Sequence, residues 1–371
     1  MGRRFGISEG APAGCQTGWQ RMLRHGAAAA LLLLAACGDV AREEIRAVGS
    51  STVFPFTTAV AENFTREHPE FRAPIVESLG TGGGLKLFCA GVGSRYPDVA
   101  NASRRITALE LADCNANGVR QVVEVKIGID GLVLVQGRQA VPLDLTLRDL
   151  YLALAAEPWG KKQTARTWQD VNPALPAVRI EVLGPPPTSG TRDAFNELYM
   201  RAGCLTNPEM ERLKADDNAR FRQICEGIRE DGAFVDAGEN DNLLVQQLTQ
   251  SRFAVGAFGF SYFDANRDRL RGVPIDGVAP DYETISRFRY PGARPMFIYV
   301  KGEHVRAIRG MREFLGEYTS EGAWGPRGYL VRRGLIASPE ETRRLYRERA
   351  LRLVPLTLQE LESGAGPAGR A

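Results

Sequence analysis

Histidine is nearly absent: the chain of 371 residues has three, and none is spaced with a partner. That excludes a histidine-built metal centre. Six cysteines include no Cys-x-x-Cys pair, which makes zinc a poor rival to disulfides. A membrane-spanning run is also missing, because the apolar stretch Ala27–Ala36 is too short to cross a bilayer stably. Net charge is the last thing in short supply. Arg3, Arg4, Arg21 and Arg24 against Glu9 account for the whole formal excess of +3. The rest of the chain is close to neutral, so no basic patch is left in the balance for a nucleic-acid partner.

What is present begins with a leader. A basic segment precedes Ala27–Ala36, and Leu34-Ala-Ala-Cys37 follows the pattern of a bacterial lipobox. Residues 1–36 are expected to be a lipoprotein-type signal peptide, with Cys37 acylated and residues 37–44 a tether. An ordinary signal cut nearby is the alternative, and Met22 offers a second start. Cys89, Cys114, Cys204 and Cys225 remain, an even number in an exported chain. Four cysteines allow three pairings. The local ones, Cys89–Cys114 and Cys204–Cys225, are expected because each stays within one half of the molecule. Length and a 44% hydrophobic composition suit a soluble protein of two domains or lobes.

The main signal is a unit used three times. Gly49-Ser-Ser-Thr-Val-Phe-Pro55, Gly80-Thr-Gly-Gly-Gly-Leu-Lys86 and Thr188-Ser-Gly-Thr-Arg192 each follow a strand-like run and open a helix-like one. Such a turn gathers free backbone N–H groups at the positive end of a helix and makes an anion site. Glycine lets the backbone approach a ligand, and Ser or Thr adds a hydroxyl donor. Arg104 and Arg192 could add full charge and bidentate bonds.

Around these turns the chain alternates. Strands are expected at 45–49, 75–78, 98–103 and 178–184, and a buried one over 253–262. Long β-rich runs at 121–135 and 294–300 read as segments crossing between lobes, and the plain alternative for 121–135 is one bent strand in a single sheet. Helices are expected at 85–90, 108–115, 147–155, 191–202, 220–228, 240–248, 305–315 and 321–330, with apolar spacing also at Phe56, Val60 and Phe64. Residues 159–176 read as a loop. The arginine-rich stretch 340–353 reads as a solvated helix face with i,i+4 ion pairs, and 356–371 as a partly disordered tail. The alternation argues for an α/β fold, a parallel or mixed sheet with helices on its faces.

Two enzymatic readings fail on residue detail. In the second loop Leu87 follows the lysine where a phosphate loop needs Ser or Thr. Ser189 lacks the Gly-x-Ser-x-Gly frame, and no histidine stands in a suggestive place.

GSSTVFPFTTAVAENF, ESLGTGGGLKLFCAG, DVANASRRI, PPTSGTRDAF and AVGAFGFSYF together resemble the periplasmic phosphate-binding proteins of the PstS type, over about residues 45–330. The resemblance implies a type II periplasmic-binding-protein fold: two α/β lobes, each a mixed sheet flanked by helices, joined by two crossing strands, with lobe one at 45–129 plus 292–355 and lobe two at 130–291. It implies a monomeric, periplasmic, membrane-anchored receptor that needs no metal or cofactor. It would perform no chemistry, bind inorganic phosphate between the lobes and deliver it to the permease subunits of an ABC importer. Another tetrahedral oxyanion such as sulfate, or a phosphate-ester hydrolase using Ser189, are the alternatives. Matching positions assign binding to Ser51, Thr52, the Val53 backbone, Thr81, Ser189, Gly190 and Thr191. Two positions depart from the family. Arg104 stands where many members carry an aspartate that accepts the ligand proton. Pro185-Pro-Pro187 stands near where they carry an arginine. Arg104 would supply the missing charge. Asp130, Glu77 and Asp241 are candidates for the missing carboxylate.

Overall fold

The computed structural model describes residues 42–187, 189–237 and 241–362. Cys37, the leader, Thr188 and the end of the tail lie outside the described residues, and so does the side chain of Asp241.

Among the described residues nine strands, numbered in chain order, make one continuous mixed sheet in the order β2-β1-β3-β9-β4-β7-β5-β6, with β8 also on β4. Strands β1 (Arg46–Gly49), β2 (Ile75–Ser78) and β3 (Val99–Ala102) run parallel, as strand–helix–strand alternation requires. At the other end β5 (Val182–Gly184), β6 (Phe234–Asp236) and β7 (Val255–Gly259) are also parallel, and β8 is Leu270–Gly272. The two ends are connected by β4 (Val122–Gly137) and β9 (Ala293–Lys301), paired antiparallel from Val122↔Lys301 to Gly131↔Ala293. Beyond Gly131, β4 leaves β9 and pairs with β7 and β8. The glycine-interrupted run at 121–135 is therefore one strand that belongs to both ends, with a register shift between Lys126 and Gly128.

The cores follow the same division. One cluster gathers Leu132, Leu154, Trp168, Phe195, Cys225 and Phe263. Two others lie on the β1–β3–β9 end, one with Phe64, Phe314 and Trp324 and one with Phe88, Cys114 and Tyr299. Disulfides Cys89–Cys114 and Cys204–Cys225 form as the local pairings require.

Several elements differ from expectation. The run 253–262 is a strand only to Gly259, and Phe260–Ala265 is helical. A short apolar run does not distinguish a buried strand from a buried helix. The helix expected at 191–202 is Gly190–Phe195 followed by a π-helical stretch, Asn196–Arg201. The one expected at 305–315 is split into Gly302–Val305 and Met311–Tyr318, separated by a turn that ends at Gly310 with φ +81°. Glu321–Trp324 is helical, but the chain does not continue so to Leu330. The loop at 159–176 contains a short helix, Trp168–Val171, with a capping box at Thr167. Helix Glu340–Arg352 is more than a solvated face: Arg343 and Arg349 are buried and pair with Glu321 and Glu360.

Candidate functional site

Glycine packing brings the three loops together. Gly49 leaves β1 with φ +134°, and a Cβ there would strike Asn101 O at the end of β3. Gly84, in helix Thr81–Phe88, sits so close to Gly49 that an added Cβ would overlap the Gly49 backbone. Gly190, at the start of helix Gly190–Phe195, leaves room for no side chain either: its Cβ would lie 2.8 Å from Ser51 C and Thr52 N. The first loop is thus held between the second and the third by contacts that only glycine permits.

A cleft of about 400 Å³ opens beside them. Ser50, Ser51, Thr52, Gly80, Thr81, Ser103 and Arg104 line one wall. Asp193, Asn196, Glu197, Arg201, Arg222 and Glu226 line the other. Ser51, Thr52, Thr81 and Arg104 therefore share one cavity. Val53 is buried as the N-cap residue of helix Phe54–Glu67, whose first turn has no side-chain cap. Ser189, Gly190 and Thr191 are not among the residues that line the cleft. Ser189 Oγ accepts the Arg192 N–H at 3.1 Å and caps its own helix.

The two walls touch through the hydroxyls. Ser51 Oγ donates to Asp193 Oδ2 at 2.6 Å, and Thr52 Oγ1 donates to Gly190 O at 3.1 Å. Thr81 Oγ1 accepts the Ser103 N–H at 3.1 Å and lies 3.1 Å from Ser103 Oγ. Arg104 forms a fork with Glu110, 2.9 Å and 2.8 Å, which raises the guanidinium pKa despite its partial burial. Burial raises the Glu110 pKa, but the bonds from Arg104 and Thr107 outweigh it and hold the carboxyl below its usual range. That carboxylate is also the capping-box residue of helix Ala108–Ala116, so a helix start fixes the arginine.

The remaining candidates point elsewhere. Arg192 turns to Asp236 and donates to Pro185 O at 2.7 Å, with the Phe234 ring 4.6 Å from its guanidinium. Burial lowers its pKa. Glu77 pairs with Arg46 at 3.1 Å. Asp130 is bound by Arg294 at 3.1 Å.

Most of the second wall carried no sequence signal. Asn196, Glu197 and Arg201 come from the π-helical stretch, a distortion common at functional sites. Arg222 and Glu226 come from helix Asn218–Glu226, stapled by Cys204–Cys225 to the short helix Ala202–Cys204 that follows that stretch. Arg201 bonds Glu226 at 2.6 Å. Asp193 could have been noticed, since it lies two residues beyond Ser-Gly-Thr and faces the first loop.

This chain belongs to a family of binding proteins: residues 35–321 match the model of the PBP superfamily domain. Within it, the chain is 31% identical over 322 residues to Protein SphX of Synechocystis, covering 84% of each. It is 27% identical over 298 residues to the phosphate-binding protein PstS of Staphylococcus saprophyticus, covering 77% of this chain and 81% of that one. Among solved structures it resembles a possible phosphate binding protein from Planctomyces limnophilus. That likeness has TM-score 0.67 and 29% identity, and covers 84% of this chain and 98% of the other. A phosphate transport receptor from Vibrio cholerae, 22% identical with TM-score 0.54, shares the fold.

Proposed function

We propose that the protein is a periplasmic receptor for inorganic phosphate that delivers it to the permease of an ABC importer. The observation that carries this reading is the convergence of glycine loops around one polar cleft with Ser51, Thr52, Thr81 and Arg104 in its lining. Neutral donors spread over several groups suit a reversible anion site, and Arg104 adds full charge. The PstS relative and the Planctomyces neighbour support the same ligand class.

The lobes are residues 45–129 plus 292–355 and residues 130–291, with β4 and β9 as the hinge. Ser51, Thr52, the Val53 backbone, Thr81 and Arg104 bind from lobe one, and Ser189, Gly190 and Thr191 from lobe two. The carboxylate that receives the ligand proton is Asp193, which lines the cleft beside Ser51. Asp130 and Glu77 are committed to arginines. Such a carboxylate favours protonated phosphate over fully ionised sulfate. The receptor performs no catalysis, works as a monomer and is held to the membrane through acylated Cys37.

Isothermal titration with phosphate, sulfate and a phosphate monoester tests this reading. One phosphate bound per chain, weak sulfate binding and an intact ester are expected. Turnover of the ester, or a preference for sulfate, would overturn it.

A further inference from the structure

Arg294 stands on β9 directly opposite Asp130 of β4, on the paired segment that links the two ends of the sheet. Its side chain is 5% exposed and meets three partners from three elements. Nε donates to Asp130 Oδ2 at 3.1 Å, Nη1 to Glu197 Oε2 at 2.7 Å and Nη2 to Thr52 Oγ1 at 2.8 Å. Two carboxylates already satisfy the charge of one guanidinium. The bond to Thr52 is therefore additional, and its consequence falls on the hydroxyl.

A hydroxyl has one proton and two lone pairs. Arg294 occupies a lone pair of Thr52, and the proton is directed at Gly190 O, 3.1 Å away. Bonds in such a chain polarise one another, so the Thr52 O–H becomes a stronger donor. Thr52 also lines the cleft. When an oxyanion enters, the proton can turn from Gly190 O to the ligand while the oxygen stays fixed by the guanidinium.

We propose that Arg294 is a positioning residue that fixes Thr52 as a donor to the bound anion and ties that contact to the strands linking the two ends of the sheet. It acts through Thr52 rather than by touching the ligand. The proposal rests on the phosphate reading above and adds to it a residue that none of the glycine loops contains.

A double-mutant cycle tests it, read by isothermal titration with inorganic phosphate. Arg294→Lys keeps the buried charge, so Asp130 and Glu197 are not left uncompensated. A lysine has its three donors on one nitrogen, however, and cannot reach the three acceptors that the planar fork meets through Nε, Nη1 and Nη2. Thr52→Val and Arg294→Lys are each expected to weaken phosphate binding about tenfold, and the double variant also about tenfold, because both remove one interaction. Thr52→Ser, which keeps the hydroxyl, is expected to bind within about threefold of wild type. A double variant weakened about a hundredfold would overturn the proposal, since Arg294 would then act independently of Thr52. So would Arg294→Lys binding as tightly as wild type. Should the lysine variant not fold, Arg294→Gln with Asp130→Asn replaces it in the same cycle with the same criteria. Wild-type protein that fails to bind phosphate would remove the receptor reading itself and the proposal with it, an outcome distinct from intact binding with independent effects.

Discussion

Arg104→Met should separate anion binding from folding. The guanidinium spends two N–H groups on Glu110 and one on Arg105 O. Among the described residues its Nε–H and one Nη2–H have no other protein acceptor, and the side chain lines the cleft. A hydrogen bond to a charged group contributes about 1.5–3 kcal/mol. With 37% of the side chain exposed, solvent screening favours the lower part of that range. The expected loss is about 2 kcal/mol, or roughly 30-fold in phosphate Kd. Stability should change far less. Glu110 keeps its bonds from Thr107 N at 2.9 Å and Thr107 Oγ1 at 3.0 Å, so the helix cap survives. Losing a half-exposed ion pair costs about 1 kcal/mol or less, a Tm shift of roughly 1–2 °C for a chain of this size. Titration calorimetry and thermal melts on one preparation measure both quantities. Arg104→Lys should fall between wild type and methionine, because it restores the charge without the fork. An unchanged Kd in the methionine variant would remove Arg104 from the site. A collapse of Tm alongside lost binding would make the residue a structural brace instead.

Asp193→Asn should narrow the preference for phosphate over sulfate, since an amide can donate to either anion; an unchanged ratio of Kd values would exclude Asp193 as the proton acceptor. Gly190→Ala should weaken phosphate binding at least tenfold, because its methyl would meet Ser51 C and Thr52 N at 2.8 Å and part the loops; wild-type affinity would refute the close packing. Lys126→Met should stabilise the protein at pH 7 by about 1–3 kcal/mol, because burial pulls the lysine pKa from 10.5 down to about 8 against the opposing charge of Glu124, while loss of the contact with the Phe288 ring 4.6 Å away reduces the gain. Between those values the unfolded chain binds more protons than the folded one, so wild-type stability rises with pH and the gain fades from about pH 8 upward; urea melts at several pH values would expose a constant gain as contrary evidence. Cys204→Ser with Cys225→Ser should cost about 3 kcal/mol by the chain-entropy relation for a separation of 21 residues, read as a lower urea midpoint.

Local chemistry and tertiary pairing divide what the amino-acid order reveals from what it conceals. The first wall is legible because its work is done within short segments. A strand, a glycine turn and a helix start are written in neighbouring residues, and Ser51, Thr52, Thr81 and Arg104 share one cleft. The cysteine pairs and the two long strands are legible for the same reason, since separations of 25 and 21 residues keep each disulfide local. The second wall is not. Glu197 and Arg201 reach the cleft from a π-helical stretch whose sequence, Asn-Glu-Leu-Tyr-Met-Arg, fits an ordinary helix. Arg294 meets Thr52 across 242 positions and reads in isolation as the charged first residue of a β-rich run. Asp130 and Glu77, two of the expected carboxylates, are neutralised by Arg294 and Arg46. Which acid faces the cleft depends on which arginine has already claimed its neighbours. That competition is settled by strand register, Asp130 opposite Arg294, and not by any motif. Selectivity between similar anions therefore rests on pairings distant in the chain, while the capacity to hold an anion at all rests on turns a few residues long.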